Sequence, residues 1–278
     1  MDIRIILQDF AKGRLSIDDV EKKISLHNIE FAAENIAQLD TGREARKGIP
    51  EVVFAEYKSL TEIVRIVNAI MRRNDSVVVS RIQKTDLVKI VSLLRKRKLD
   101  VEVGKLSTTI LVSRKTVVLT KEIPKIGIIC AGTSDIGVAE ESRLIAKSMY
   151  CDSIISYDVG IAGLHRLFPA LRKMVEQDVE AIVVVAGMEG ALASVVSSIV
   201  NLPVIGVPTS VGYGFGSAGK AALASMLQSC TFGLAVVNID NGIGAGAFAA
   251  LIAKRNYLKR VNNSMRKSFF QPKNIKAD

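Results

Sequence analysis

Apolar runs at residues 125–130, 153–157, 181–185, 204–207 and 234–239 recur at roughly even spacing, each followed by a glycine-containing turn and an amphipathic stretch of helical length. Five strand-helix units in series predict a parallel sheet covered on both faces, with any ligand at the carboxyl ends of the strands. The turns closing those strands are AGTSD (131–135), DVGIAGLHR (158–166), AGMEGA (186–191), PTSVGYGFGSAG (208–219) and NIDNGIGAGA (238–247). The first half reads differently. Residues 3–15 and 16–25 look helical, with Ser16 as a cap, and Ser59-Leu60-Thr61-Glu62 fits a capping box opening a helix that ends near Arg73. Strand-like runs at 77–80, 101–103, 108–113 and 116–120 alternate with a helix over 84–98, which gives a small α/β domain behind a helical arm. Pro124 marks the boundary, so the chain divides into residues 1–122, a ligand-binding α/β domain over 123–255, and a tail over 256–278.

With 278 residues, 49% of them hydrophobic, the chain has enough apolar side chains for a good core and two domains. No apolar run reaches the ~18–20 residues that span a bilayer. The N-terminus, MDIRIILQDF, carries charges where a signal peptide would be apolar, so a cytoplasmic protein with no membrane partner is expected. Three cysteines without a C-x-x-C pair or an even framework argue against disulfides and a structural zinc site. The net charge of +10 suggests nucleic acid until it is located. Lys254 to Asp278 hold eight Lys/Arg and one acidic residue, which leaves only +3 on the remainder. A segregated tail of this kind reads as a solvated or oligomer-contact segment, and no nucleic-acid partner is expected.

A strand ending in Gly132-Thr133-Ser134-Asp135 leaves backbone N–H groups and hydroxyls at one spot, which suits a phosphate. Thr209 and Ser210 open a glycine-rich loop that backbone and ligand can approach closely. Its Gly214, Gly216 and Gly219 match G-x-G-x-x-G, but the stretch 231–237, where the ribose-binding acid of a dinucleotide fold is sought, is apolar, so a dinucleotide-binding dehydrogenase is set aside. Residues 39–58 are dense in Arg, Gly and Pro; Arg43 and Arg46 there either reach a phosphate or belong to a solvated linker. Other residues have plain alternatives too. Glu189 follows Gly187 and Met188 at a strand end, either as a dipole-compensating acid or as a proton acceptor. His165, beside Arg166, is a structural histidine or an acid/base group, and Asp158 orients it or binds ribose hydroxyls. Asp240-Asn241-Gly242 is strong turn chemistry. Cys230 closes the apolar stretch AALASMLQSC as a small core residue or a nucleophile, while Cys130 and Cys151 flank strands as core residues. No His/Asp/Glu cluster has metal-ligand spacing, so any Mg²⁺ would sit on substrate phosphates.

AGTSD and LHR (164–166) resemble the Gly-Ser-x-Ser-Asp phosphate loop and the Ala-His-Arg segment of the aminoimidazole ribonucleotide (AIR) carboxylase family. With LDTGREARKGIPEVVF, DVGIAGLHRL, VVVAGMEGALASV, PTSVGYG, Ser229-Cys230 and NIDNG, the chain from about Ala37 to Leu251 resembles the LarB family, carboxylase/hydrolases of nickel-pincer cofactor biosynthesis. The resemblance implies a flavodoxin-like C-terminal domain, a homo-octamer, and a small-molecule nucleotide substrate, nicotinic acid adenine dinucleotide, with CO₂ or bicarbonate as co-substrate. It places the nucleophile at Cys230, because a cationic pyridinium cannot attack CO₂ until a thiolate has added to it. Glu189 then takes or relays the ring proton, His165 serves as acid/base or orienting group, and the other turn residues bind substrate. Two alternatives remain. One is a purine-pathway AIR carboxylase or mutase, disfavoured by Met188-Glu189 and the long N-terminal domain; the other is a non-catalytic nucleotide-sensing regulator.

Overall fold

The computed structural model of the chain describes residues 3–20, 23, 29–32, 37–40, 43–119 and 123–269, with backbone only at 3, 29–32, 37–40, 45, 46 and 262–269. Thr120 and residues 270–278, which end the fourth expected N-terminal strand and the basic tail, lie outside the described residues. The chain forms two units, Met1–Val103 with Thr108–Thr116, and Gly104–Ser107 with Val117–Asp278. Sequence puts the division at Pro124, whereas Val117–Leu119 already belong with the second unit.

The first unit opens with helix α1 (Ile3–Ala11) and a helical turn at 17–20, where Ser16 Oγ accepts the Asp19 N–H at 3.1 Å. An antiparallel pair follows, β1 (Ile29–Ala32) and β2 (Ala37–Asp40), then the short helix α2 (Arg43–Lys47). Strands β3 (Val52–Phe54), β4 (Ser76–Ser80), β5 (Asp100–Val103) and β6 (Ile110–Ser113) make a sheet of order β3-β4-β6-β5. Helices α3 (Leu60–Ile70) and α4 (Lys84–Lys96) pack Ile63, Val67, Ile90 and Leu94 with Val77, Val79 and Val112 of the sheet. The capping box is present: Ser59 N–H donates to Glu62 Oε2 at 2.8 Å and Ser59 Oγ accepts the Glu62 N–H at 3.4 Å. Those bonds from Ser59 hold the Glu62 carboxyl below its ordinary pKa. The strand expected at 116–120 is a correction, since residues 116–119 are irregular. Both sides of β6 are already hydrogen-bonded, to β4 and β5, so the run that follows has no edge to join and Val118 is 76% exposed.

The second unit holds β7 (Lys125–Cys130), β8 (Asp152–Ser156), β9 (Ile182–Ala186), β10 (Val204–Pro208) and β11 (Leu234–Val236) in one parallel sheet of order β11-β10-β9-β7-β8. That is the flavodoxin-like order, in which the chain moves out from β7 to β8 and then returns to β9 on the other side. β9 and β10 are buried throughout, which explains their unbroken apolar runs. On one face α5 (Ile136–Ser148) lies against α9 (Gly242–Phe269), whose Ala245, Ala249, Ala250 and Ala253 are fully buried. On the other, α6 (Leu167–Glu176), α7 (Ala191–Ile199) and α8 (Lys220–Leu227) bury Leu171, Met174, Leu192, Val196 and Met226. The reversal beside β7 puts the turns after β7 and β9 next to each other. No helix among the described residues is long and apolar enough to cross a membrane.

Candidate active site

The turns at the carboxyl ends of the strands are joined by their own polar groups. Asp135 is 4% exposed at the start of α5, and its carboxylate faces inward. Gly132 N–H donates to one oxygen at 2.9 Å, Thr209 Oγ1 to the other at 2.7 Å, and the Gly187 N–H also reaches it. Burial raises its pKa, and these three donors oppose the rise. One carboxylate therefore ties together the turns after β7, β9 and β10. Close approaches complete the seam: a Cβ on Gly187 would lie 2.3 Å from Val211 O, and one on Gly160 would lie 2.7 Å from Ala131 O. Only glycine fits at either position.

Three strand ends place a non-glycine residue in the left-handed region: Asp158 (φ +56°), Met188 (φ +51°) and Asp240 (φ +55°). Such conformations cost energy and persist where the surroundings enforce them, commonly around functional sites. Asp240 Oδ1 accepts the Ser210 N–H at 2.9 Å, and Asn241 Oδ1 accepts the Gly244 N–H at 2.9 Å as the cap of α9. Asp158 Oδ2 accepts from Arg166 Nη1 at 2.8 Å. That pair is half-exposed, so it fixes the direction of Arg166 more than it adds stability.

The rim these turns form exposes Thr133, Ser134, His165, Arg166, Met188, Glu189 and Ser210, while Gly132, Asp158, Gly187, Thr209, Asp240 and Asn241 build it. Hydroxyls, a guanidinium, an imidazole and a carboxylate thus surround one open surface. It suits an anionic ligand with a proton acceptor at hand. Arg43 belongs to the first unit, where it pairs with Glu51 at 3.6 Å, and the Arg46 side chain lies outside the described residues.

The fold does not bring Cys230 to this rim within one chain. The stretch of residues 228–233 leads from α8 into the amino end of β11, whereas the rim lies at the carboxyl ends. The helix expected to reach Cys230 stops at Leu227. Four hydroxyls hold the segment against α7: Ser194 to Ser229 at 2.8 Å, Ser229 to Thr231 at 2.8 Å, and Thr231 to Ser197 at 2.5 Å. With residues 229 and 231 turned onto the helix, Cys230 between them is exposed. Cys130 and Cys151 are buried, and burial pushes their thiols up to about 11 and about 12.

Sequence reasoning missed a cluster beside the end of β8. Glu140, 2% exposed on α5, takes Arg143 through both oxygens at 2.8 Å, the Lys105 N–H at 2.9 Å and the Tyr157 hydroxyl. Burial alone would raise the Glu140 pKa, but these donors hold it below the ordinary value. The Glu140/Arg143 spacing of three on a helix of small and apolar residues was the available signal. Among the described residues no group of three or more His, Cys, Asp or Glu side chains could hold a metal ion.

Comparison with known proteins gives two domain matches: AIR carboxylase over residues 125–271 and the LarB/PurE-like N-terminal domain over 31–115. An uncharacterized protein of Methanocaldococcus jannaschii is 46% identical across 91% of this chain and 97% of its own length. The N5-carboxyaminoimidazole ribonucleotide mutase of Thermotoga maritima is 30% identical over 49% of this chain and 78% of that protein. A probable mutase of the same kind from Methanobrevibacter smithii is 33% identical over 46% of this chain and 37% of the relative. The matches support a carboxylase-related function and an enzyme acting on nucleotides.

Proposed function

The chain belongs to the AIR carboxylase family, and from that premise we propose that it carboxylates the pyridinium ring of nicotinic acid adenine dinucleotide and hydrolyses its diphosphate, a water adding to one phosphorus as the bridging oxygen leaves with the other phosphate. The products are pyridinium-3,5-biscarboxylic acid mononucleotide and AMP, as nickel-pincer cofactor biosynthesis requires. The observation that carries the proposal is the one solvent-presented thiol, Cys230, in a chain whose other two cysteines are buried. A pyridinium accepts electrons and cannot give them. A thiolate adding to the ring carbon para to nitrogen sends an electron pair onto that nitrogen and leaves a dihydropyridine, an enamine whose free meta carbon attacks CO₂. Loss of the proton at that carbon to Glu189 and expulsion of the thiolate restore the aromatic ring. Ser134, Thr133 and Arg166 are the groups suited to the phosphates, and His165 to orienting the ring. The N-terminal domain is LarB/PurE-like, a match that fits either substrate, so the choice of the dinucleotide rests on the thiol.

Because Cys230 and the rim lie at opposite ends of the sheet, the proposal includes a homo-oligomer in which a second copy supplies the thiol. Exposed Phe232 (97%) and Leu227 (67%) and the edge strand β11 offer it a surface. Incubation with the dinucleotide and bicarbonate, followed by mass spectrometry, should give the dicarboxylated mononucleotide and AMP, and Cys230→Ser should give none. Mixing Cys230→Ser with Glu189→Gln protein should restore part of the activity. Wild-type carboxylation by Cys230→Ser would remove the mechanism. Turnover of carboxyaminoimidazole ribonucleotide without turnover of the dinucleotide would favour the mutase function carried by the relatives.

A further inference from the structure

We propose that Tyr157 is a positioning residue for the substrate anion, acting through Asp158 and Arg166; the inference rests on the anion-binding role proposed above for Arg166. Asp158 is a non-glycine residue at φ +56°, a conformation that relaxes unless its neighbours enforce it. Both neighbours are tied. On the far side the Val159 N–H donates to Cys130 O at 3.1 Å, fixing the turn to the end of β7. On the near side the Tyr157 hydroxyl donates to Glu140, and the Lys105 ammonium sits 5.1 Å from the centre of the Tyr157 ring.

Glu140 cannot move to follow the tyrosine. Its carboxylate is held by Arg143 on the same helix and by the Lys105 N–H, and it is almost wholly buried. Burial and the bond to Glu140 raise the Tyr157 pKa, so the hydroxyl stays a donor throughout the working pH range. The chain of contacts runs from a fixed carboxylate to Tyr157, through one peptide unit to Asp158, and from the Asp158 carboxylate to Arg166 at 2.8 Å. Without the tether, Asp158 can leave the left-handed region, and Arg166 loses its carboxylate partner and keeps only the longer bond to Gly163 O at 3.5 Å.

Tyr157→Phe keeps the ring under Lys105 and removes only the hydroxyl. KM for nicotinic acid adenine dinucleotide, and Kd for AMP by titration calorimetry, should rise about tenfold, with kcat within about twofold. A general loss of packing would instead lower kcat or the folded fraction, so melting is compared in the same samples. The deciding measurement is a double-mutant cycle with Arg166→Lys. If Tyr157 works through Arg166, then Tyr157→Phe adds little to KM or Kd once Arg166 is gone. Additive effects, or an unchanged KM and Kd in the single variant, overturn the inference while leaving the proposed reaction standing. Wild-type protein that binds neither the dinucleotide nor AMP overturns both.

Discussion

Thr209→Val replaces a hydroxyl with a methyl of nearly the same shape at a fully buried position, so packing changes little and Asp135 loses one donor. A hydrogen bond to a charged group contributes ~1.5–3 kcal/mol, and the Gly132 and Gly187 N–H groups remain, so a deficit of ~2 kcal/mol is expected at neutral pH. For a unit of this size that corresponds to a fall in melting temperature of ~4–8 °C. The pH dependence distinguishes this cause from a packing defect. Folding raises the pKa of Asp135, so between the unfolded and folded values the native state holds a proton that the unfolded chain has lost. Stability from this group therefore falls as pH rises through that window. Removing the Thr209 donor raises the folded pKa further, so the deficit is largest at neutral pH and shrinks as Asp135 becomes protonated. Urea denaturation of both proteins at pH 7.5 and pH 4.5, followed through the second unit, measures it. A deficit below ~0.5 kcal/mol at pH 7.5, or one equal at the two pH values, would refute the view that Asp135 holds the turns together as a buried charge.

Three further outcomes are expected. Brief iodoacetamide treatment of native protein at pH 8 should modify Cys230 alone, because burial raises the other two thiols to about 11 and about 12; mass spectrometry showing equal modification of Cys130 would contradict this. Ser134→Ala should weaken dinucleotide binding by ~1–3 kcal/mol with a smaller effect on kcat, and an unchanged KM would remove Ser134 from the phosphate site. Ser59→Ala should cost the first unit ~1 kcal/mol through loss of the cap on α3, read as a shift of the urea midpoint with activity at the rim unchanged.

Much of the fold is legible along the chain because its causes are local. Apolar runs of four to six residues, each followed by a glycine-containing turn, locate β7, β9 and β10, and the Ser59/Glu62 spacing locates the start of α3. The run after β6 has the same local character as a strand, yet both sides of β6 are occupied, and residue pattern cannot report which edges are free. The site divides the same way. Turn residues such as Gly160, Gly187 and Asn241 announce themselves, since a close approach or a cap restricts what fits. The sequence alone thus determines where the chain turns and which chemistry each turn carries. Tertiary structure decides which turns share a carboxylate: Asp135 meets Thr209 across 74 positions and Glu140 meets Tyr157 across 17, pairings that depend on the order of strands in the sheet. It also decides which way a side chain faces. Cys230 closes an apolar stretch that suggests a core residue, but the hydroxyls on either side of it bond to α7, and the thiol is left in solvent.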